Sequence, residues 1–243
     1  MNSRCYLCLQ ETKYKDALLC TNCYCKIQDY QFLACARCGN LSCSGCDELI
    51  EFTKVTSLYL YKDTLAHILI LAKEDNNINA QKLFTELFFV PVKNSILKLM
   101  QSKNYAFIVL SPLRKDRIFH GAWHPNVFYD EVLNYIYEYE LPEIQKPQIL
   151  YPHYSHKKKK QSLIPVAKRE KQQKDTNFEL IYPKIIQLPQ YEKEEEKKVL
   201  LLDDVLTSGE TSLLCKRLSQ YQISPAVWDL FTIFRAPRIS NST

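Results

Sequence analysis

Glycine and long apolar runs are scarce in this sequence. The few glycines mark special backbone positions, and the lack of long apolar runs argues against a membrane-spanning segment. Only four glycines occur among 243 residues, so each one is a candidate for a backbone position with positive φ or close approach to a neighbour. No segment contains the roughly 20 apolar residues that are needed to span a bilayer, and the first residues lack the apolar core of a signal peptide. We therefore expect a cytoplasmic protein with no membrane span.

Charge is ordinary in amount but uneven in distribution. A chain of 243 residues can bury one good core plus a small appendage, and 46% apolar with 24% charged residues is an ordinary globular composition. Residues 157–174 carry eight lysines and arginines against one glutamate, which gives this segment a net charge of +7. The whole sequence has a net charge of +5, so the remaining residues sum to −2. A polyanionic partner is therefore expected to bind at this segment.

Cysteine is abundant, and its spacing is informative. Nine of the ten cysteines lie within the first 46 residues, and eight of the nine form CxxC pairs. The pairs are Cys5/Cys8, Cys20/Cys23, Cys35/Cys38 and Cys43/Cys46. Because one tetrahedral Zn²⁺ takes two such pairs, the sequence predicts two structural zinc sites, whereas disulfides or a redox role are the competing interpretations. We expect the pairs to combine sequentially, although the spacing also permits interleaved pairing.

A module of this kind has too few apolar residues to fold unaided. Zinc would supply much of its folding free energy, on the order of 10 kcal/mol per site. Four thiolates per ion leave no position for water, which favours a structural or partner-binding role over a catalytic one. Gly39 follows Cys38 where the chain must turn its N–H groups towards sulfur. Cys25 and Cys215 lie outside the pairs, and we expect a free thiol and a core residue, respectively.

Residues 199–211 are the most informative stretch. Four apolar residues lead into Asp203 and Asp204, and a turn of small residues then leads to Gly209 and a predicted helix over 210–221. The pattern predicts a buried parallel strand that delivers a loop to a helix N-terminus, where unpaired N–H groups bind an anion. Because two carboxylates would repel phosphate alone, the ligand should also carry hydroxyl groups or Mg²⁺. The alternative is an Asp-rich turn followed by an ordinary helix cap.

A basic turn follows another predicted strand, over residues 105–111. The turn contains Arg114, Lys115 and Arg117. Several cations so close together would offset the charge of a pyrophosphate group. The alternative is a solvated basic turn without a ligand.

Strands and helices alternate along the rest of the chain. Further strands are predicted over residues 54–62, 148–151 and 225–234, with amphipathic helices between them, as in an α/β protein with a parallel sheet. Pro91 is expected to end a helix over 79–89 before a second amphipathic stretch.

Together these motifs resemble two known families. Residues 199–211 resemble the phosphoribosyl-pyrophosphate (PRPP) motif of type I phosphoribosyltransferases, in which four apolar residues precede an Asp-Asp pair and a Thr-Ser-Gly turn. The succession of cysteine pairs, basic turn and PRPP motif resembles the ComF/ComFC competence proteins. The resemblance implies an N-terminal double zinc-ribbon module over residues 1–52. It also implies a type I phosphoribosyltransferase-like α/β domain, a parallel sheet flanked by helices, over residues 53–240.

The resemblance further implies roles for individual residues. Asp203 and Asp204 would be the catalytic carboxylates. The 5-phosphate of PRPP would bind to Val205, Leu206, Thr207, Ser208, Gly209, Glu210 and Thr211. Pyrophosphate would bind to Leu113, Arg114, Lys115 and Arg117. A lid over PRPP would include Lys160, Gln161 and Arg169.

Four further residues can be compared with the ComF/ComFC family. Lys73 matches a lysine that is typically followed by a turn in this passage of the family, whereas His120 stands where arginine is usual. Trp123 and His124 replace an Asn-Gln pair. The lysines at 157–160 have three open interpretations: a lid that contacts pyrophosphate, a contact to the backbone of single-stranded DNA, or a solvated loop.

The implied function is that of a ComFC-like late competence protein. Such a protein would assist the uptake of single-stranded DNA into the cytoplasm in natural transformation and would bind Mg²⁺ with PRPP, beside a ComFA-like DNA translocase ATPase. A metabolic phosphoribosyltransferase with an unknown acceptor is the alternative. A third hypothesis is a nucleic-acid or protein-binding module whose PRPP pocket is vestigial.

Overall fold

A parallel sheet with helices on both faces forms the body of the protein. The structure is a computed structural model, and it describes residues 4–12, 18–28, 34–40, 43–73, 76–114, 123–142, 146–155, 177–181, 196–220 and 223–237. The helices are α1 (Thr21–Gln28), α2 (Asp63–Lys73), α3 (Ile78–Ser102), α4 (Pro125–Tyr135), which continues as a π-helical turn (Ile136–Glu140), and α5 (Glu210–Ser219). The strands are β1 (Lys54–Leu60), β2 (Phe107–Leu110), β3 (Leu113–Arg114), β4 (Gln148–Ser155), β5 (Asn177–Ile181), β6 (Lys197–Leu206) and β7 (Ala226–Arg235).

The strand order is β1-β7-β6-β2-β4-β3, and each of these neighbouring pairs is parallel. β5 adds an antiparallel strand beside β4. β6 lies in the middle, where Leu201 pairs with Val109 of β2 and with Leu230 of β7. A central parallel strand is covered on both faces, which explains why its sequence is a continuous apolar run and not an alternating one. The predicted α/β class with a parallel sheet is therefore confirmed.

Two apolar layers cover the sheet. On one face α2, α3 and α4 pack against the sheet, and aromatic rings fill the contact. The ring centroids of Phe84 and Phe128 are 5.0 Å apart, and those of Phe88 and Phe234 are 5.2 Å apart. On the other face α5 and residues 49–52 surround the fully buried Trp228. The predicted core role of Cys215 is confirmed, because its side chain is buried in this second layer.

The prediction that Pro91 ends a helix is wrong, because α3 runs through it without interruption. Proline removes one hydrogen bond from a helix interior and strains the preceding turn. Buried side chains on both sides of Pro91, such as Phe88 and Val92, hold the two halves on the sheet and offset that loss. In the described part of the chain, no helix has both the length and the apolarity to cross a membrane.

Two other boundaries differ from the prediction. β6 continues through Asp203 and Asp204 to Leu206, so both carboxylates project from the strand itself. α4 begins at Pro125 and not near Tyr129, because proline fits the first helical position and the ring of His124 accepts a hydrogen bond from the N–H of Asn126 at 3.2 Å.

Candidate metal centres and an acidic loop site

Eight of the cysteines form two groups of four. Cluster 1 contains Cys5, Cys8, Cys20 and Cys23, and cluster 2 contains Cys35, Cys38, Cys43 and Cys46. Within each cluster all sulfur atoms lie within 4.8 Å of one another. The structure therefore has the sequential pairing and not the interleaved one. Cys25 lies outside both clusters as an exposed free thiol.

The sulfur spacing fits a tetrahedral zinc ion. Two sulfurs bound to one Zn²⁺ at about 2.3 Å each lie about 3.8 Å apart at the corners of a tetrahedron. The Sγ atoms of Cys8 and Cys20 are 3.6 Å apart, and those of Cys35 and Cys46 are 3.8 Å apart. Both clusters could therefore hold a zinc ion, with four thiolates each.

Backbone donors prepare one cysteine of each cluster for the thiolate form. Burial raises the pKa of Cys5, but main-chain N–H groups, foremost that of Cys20, outweigh burial and lower the pKa to about 6. Burial also raises the pKa of Cys35, and N–H groups led by that of Cys38 lower it to about 7. Because zinc binds the thiolate, these donors favour metal binding at neutral pH.

The first knuckle of each cluster has the same backbone turn. The N–H of Leu9 donates to the carbonyl of Cys5 at 2.9 Å, and the N–H of Gly39 donates to the carbonyl of Cys35 at 2.7 Å. Leu9 has φ of 61° and Gly39 has φ of 75°. The turn predicted at Gly39 is thus present, whereas cluster 1 makes the same turn with a residue that adopts positive φ at a cost.

Asp203 and Asp204 lie near the carboxyl end of the central strand, and both are 6% exposed. Asp203 is held by its surroundings: its Oδ2 accepts a hydrogen bond from the hydroxyl of Ser212 at 2.9 Å, and its main-chain carbonyl accepts one from the hydroxyl of Tyr129 at 2.7 Å. Asp204 forms an ion pair with Lys73, whose Nζ lies 2.7 Å from Oδ2. The contact to Lys73 therefore belongs to Asp204, the second of the two adjacent carboxylates.

The two neighbouring carboxylates have different surroundings, and their pKa values move in opposite directions. Burial and the charge of Asp204 raise the pKa of Asp203 to about 7. Burial also opposes the ionisation of Asp204, but the charges of Lys73 and His124 outweigh it and lower the pKa to about 2. One carboxylate is therefore ionised throughout the neutral range, while the other titrates within it. A ligand that brings hydroxyl groups or a cation would relieve this repulsion.

A short loop connects the two aspartates to α5. Thr207 and Ser208 are exposed, and the buried Gly209 has φ of 82°, the left-handed conformation that favours glycine. Glu210 and Thr211 form the first turn of α5, where main-chain N–H groups lack helical partners and can bind an anion. Val205 and Leu206 are the last residues of β6, and Thr207 and Ser208 are the exposed residues of the predicted phosphate loop.

The other predicted site residues are described in part or not at all. The backbone of Leu113 and Arg114 forms β3, which pairs with β4 opposite His153 and Tyr154. The remaining members of the predicted pyrophosphate site and lid lie outside the described residues: Lys115, Arg117, Lys160, Gln161, Arg169 and the lysines at 157–160. The structure therefore leaves these roles as predictions.

Sequence reasoning did not place several residues that shape the acidic site. Ser212 is in the first turn of α5, a position from which a hydroxyl can reach the preceding strand. Its hydrogen bond to Asp203 could therefore have been predicted from the sequence. Tyr129 and the pairing of Lys73 with Asp204 had no local signal, since 74 and 131 residues separate these partners in the chain.

Comparison with protein-family models gives no match, and no curated protein matches the chain significantly.

Proposed function

We propose that this protein binds PRPP with Mg²⁺ at residues 203–211 and acts as a ComFC-like competence protein that handles incoming single-stranded DNA. One observation carries the proposal: a buried Asp-Asp pair near the end of the central parallel strand is followed by a left-handed glycine and a helix N-terminus. In open α/β sheets, ligands bind at the carboxyl ends of the strands. The fold proposed for the sheet domain is that of type I phosphoribosyltransferases.

The acidic pair and the loop suit the two ends of a ribose phosphate. The N–H groups of residues 207–211 would bind the 5-phosphate, and the carboxylates of Asp203 and Asp204 would accept hydrogen bonds from the ribose hydroxyls. Because Asp204 stays ionised, it would also stabilise positive charge that develops on the ribose ring if the bond to pyrophosphate breaks. Lys73 keeps Asp204 in place and in that charge state.

Magnesium fits this donor set. Carboxylate oxygens are preferred Mg²⁺ ligands, and Mg²⁺ is usually bound by one or two carboxylates together with substrate phosphates. Burial, followed by the charge of Asp204, raises the pKa of Asp203, and a bound cation would favour the ionised form of this carboxylate. Bound with PRPP, Mg²⁺ would supply the charge that offsets the pyrophosphate group.

Calorimetry with Mg²⁺ and PRPP tests the binding step. We expect the wild-type protein to bind PRPP and the double variant Asp203→Asn/Asp204→Asn to lose at least tenfold in affinity. Asp130→Asn is the matched control, since Asp130 accepts a hydrogen bond from Tyr151 at 2.7 Å and takes no part in the loop. Absence of PRPP binding by the wild type would favour the vestigial-pocket hypothesis.

A metabolic phosphoribosyltransferase remains the second candidate, because the same two carboxylates would serve catalysis. Release of pyrophosphate from PRPP in the presence of a panel of purines, pyrimidines and related acceptors separates the two functions. Turnover with one acceptor supports the enzyme. No release with any acceptor, together with tight PRPP binding, supports the competence protein.

Binding of DNA is proposed for the basic segment 157–174, on its net charge of +7. Replacement of the four lysines at 157–160 by alanine should weaken binding of single-stranded DNA and flatten its salt dependence, because fewer phosphate contacts release fewer counterions. An unchanged salt slope would exclude these lysines from the interface. The cysteine clusters are proposed as the contact to a ComFA-like translocase ATPase, since four thiolates per zinc suit a structural or partner-binding role.

A further inference from the structure

One side chain ties the segment after cluster 2 to the knuckle of that cluster. Arg37 lies between Cys35 and Cys38 in the knuckle. Its guanidinium donates to the main-chain carbonyls of Glu48 at 3.4 Å, Leu49, Phe52 at 2.7 Å and Thr53 at 2.9 Å. The position of residues 48–53 therefore depends on the conformation of a metal-binding knuckle.

The same segment lies against the phosphate loop. The buried side chain of Leu49 packs so closely on Gly209 that a Cβ atom at position 209 would overlap Cδ2 of Leu49. Lys216 of α5 donates to the main-chain carbonyl of Glu51, and its ammonium group lies 5.4 Å from the ring centre of Phe52. The loop and the helix that follows it are thus packed directly on residues 49–52.

A second arginine, Arg235, joins cluster 2 to the loop. Arg235, the last residue of β7, is 2% exposed. Its guanidinium donates to the main-chain carbonyls of Leu206 at 2.7 Å and of Thr207, and also to the carbonyl of Arg37 in the knuckle at 2.8 Å. One buried side chain therefore holds two peptide groups of the loop and one of cluster 2.

These contacts set the direction of the donors in the loop. In a trans peptide the carbonyl and the following N–H point in opposite directions. Arg235 binds the carbonyls of Leu206 and Thr207, so the N–H groups of Thr207 and Ser208 point away from the guanidinium, and both residues are exposed. Outward N–H groups of successive residues form a concave anion site.

Cluster 1 is attached elsewhere. α1 and the neighbouring residues pack against the α2–α4 layer through the buried Ile27 and the partly buried Tyr6, Leu7 and Leu19. In cluster 1, Leu7 occupies the knuckle position that Arg37 occupies in cluster 2. Cluster 1 can therefore serve as a control for cluster 2. Both have four cysteines, but only in cluster 2 does the knuckle carry an arginine that connects it to the loop.

We propose that Arg37 and Arg235 are positioning residues that transmit metal binding at cluster 2 to the phosphate loop, so that zinc at this cluster sets the affinity of the loop for a phosphate ligand. Zinc fixes the knuckle, the knuckle fixes Arg37, and Arg37 fixes Leu49 and the carbonyl that Arg235 binds. Cluster 1 has no such effect. The inference rests on the proposed function in taking PRPP as the ligand of the loop.

The first test compares matched cysteine variants of the full chain. Cys23→Ser and Cys46→Ser each remove the last ligand of one cluster, and each should lower the zinc content from two ions to one. We expect Cys46→Ser to weaken the binding of Mg²⁺ and PRPP at least tenfold and Cys23→Ser to weaken it less than twofold. Equal losses in the two variants would overturn the proposal.

The second test leaves all cysteines in place. Arg37→Met should retain two zinc ions and weaken PRPP binding at least fivefold, while Leu7→Met at the matching position should leave it unchanged. A structural role alone would make the effects of Arg37→Met and Cys46→Ser multiply. We expect the double variant to bind no more weakly than Cys46→Ser alone, and multiplied effects would contradict the proposed transmission.

Deuterium uptake by the loop separates this inference from the proposed function. A peptide covering residues 206–212 should exchange faster in Cys46→Ser and Arg37→Met than in the wild type, and at the wild-type rate in Cys23→Ser. If PRPP fails to bind the wild type and this exchange pattern holds, the proposed ligand is wrong and the coupling stands. Unchanged exchange in Cys46→Ser would overturn the coupling whatever PRPP does.

Discussion

Two lysine–aspartate pairs with buried carboxylates lie near opposite ends of the same sheet, and they differ in the groups that surround each carboxylate. Near the carboxyl ends of the strands, Lys73 at the end of α2 pairs with Asp204. Near the amino ends, Lys103 just after α3 pairs with Asp229, which also accepts a hydrogen bond from the hydroxyl of Tyr105 at 2.6 Å.

The composition of each site explains the difference. At the amino end, a cation and a hydroxyl converge on one carboxylate, so the pair joins α3 to β7 and has its charge balanced. At the carboxyl end, Asp203 adds a second carboxylate to a single lysine, and an exposed loop of small residues follows. Two adjacent carboxylates with shifted pKa values beside the N–H donors of a helix N-terminus form a combination that is typical of binding sites.

The largest effect should come from breaking the structural pair. Lys103→Met leaves Asp229, whose side chain is 4% exposed, without its cation, and loss of one partner of a buried pair costs about 3 kcal/mol. Urea unfolding should show this loss, while calorimetry should show unchanged affinity for PRPP. A parallel loss of PRPP affinity would mean that the two ends of the sheet are not independent.

The matching change at the carboxyl ends of the strands, Lys73→Met, should affect PRPP binding more than stability. Lys73→Met removes the cation of a pair whose carboxylate must then be reoriented or protonated, at a cost of about 2 kcal/mol in unfolding free energy. Because Lys73 keeps Asp204 ionised and in place, PRPP affinity should fall at least tenfold. Wild-type affinity in this variant would make the Lys73 pair as purely structural as that of Lys103.

The smallest effect should appear in the pH dependence of stability. The pKa of Asp203 is raised from 3.8 to about 7 in the folded protein, so the folded state retains a proton that the unfolded chain releases above pH about 4. Folding stability from this group therefore falls as pH rises towards 7. Asp204 behaves oppositely: its pKa is lowered to about 2, and its stabilisation is lost only as pH falls from about 4 to 2.

Asp203→Asn isolates that contribution. Between pH 6 and pH 8, the unfolding free energy of the wild type should fall relative to this variant by on the order of 1 kcal/mol. The measurement is urea unfolding of both proteins, without Mg²⁺ or PRPP, at several pH values in this range. A difference that stays flat would show that Asp203 ionises in the usual range and that the two ends of the sheet do not differ in charge balance.

Local patterns were sufficient for the elements and insufficient for the contacts that build the site. The apolar run of β6 and the four CxxC pairs are contiguous signals, and both the parallel sheet and the cysteine clusters follow from them. The ion pair of Lys73 with Asp204 and the bond from Arg235 to Arg37 join residues 131 and 198 positions apart. No pattern in a single chain reports such distances.

Pro91 shows why a strong local rule can fail. The propensity of proline against helix interiors is a property of the isolated segment. The length of α3 is decided by the row of apolar side chains that it buries on the sheet, which continues past the proline from Phe88 to Val92 and Ile96. Tertiary packing of this kind cannot be weighed until the partner surface is known.

The strand order also determines how much of the chain must be synthesised before β1 can join the sheet. β1 is paired with β7, so that Lys54 lies opposite Asp229 and Leu60 opposite Arg235. A nascent chain has all eight paired cysteines once residue 46 has been added, and metal can be captured then. The strand that pairs with β1, and the arginine that binds both the loop and the knuckle, lie much later in the chain, within residues 226–235. A chain that ends before β7 therefore contains all eight paired cysteines but lacks the strand that joins β1 to the rest of the sheet.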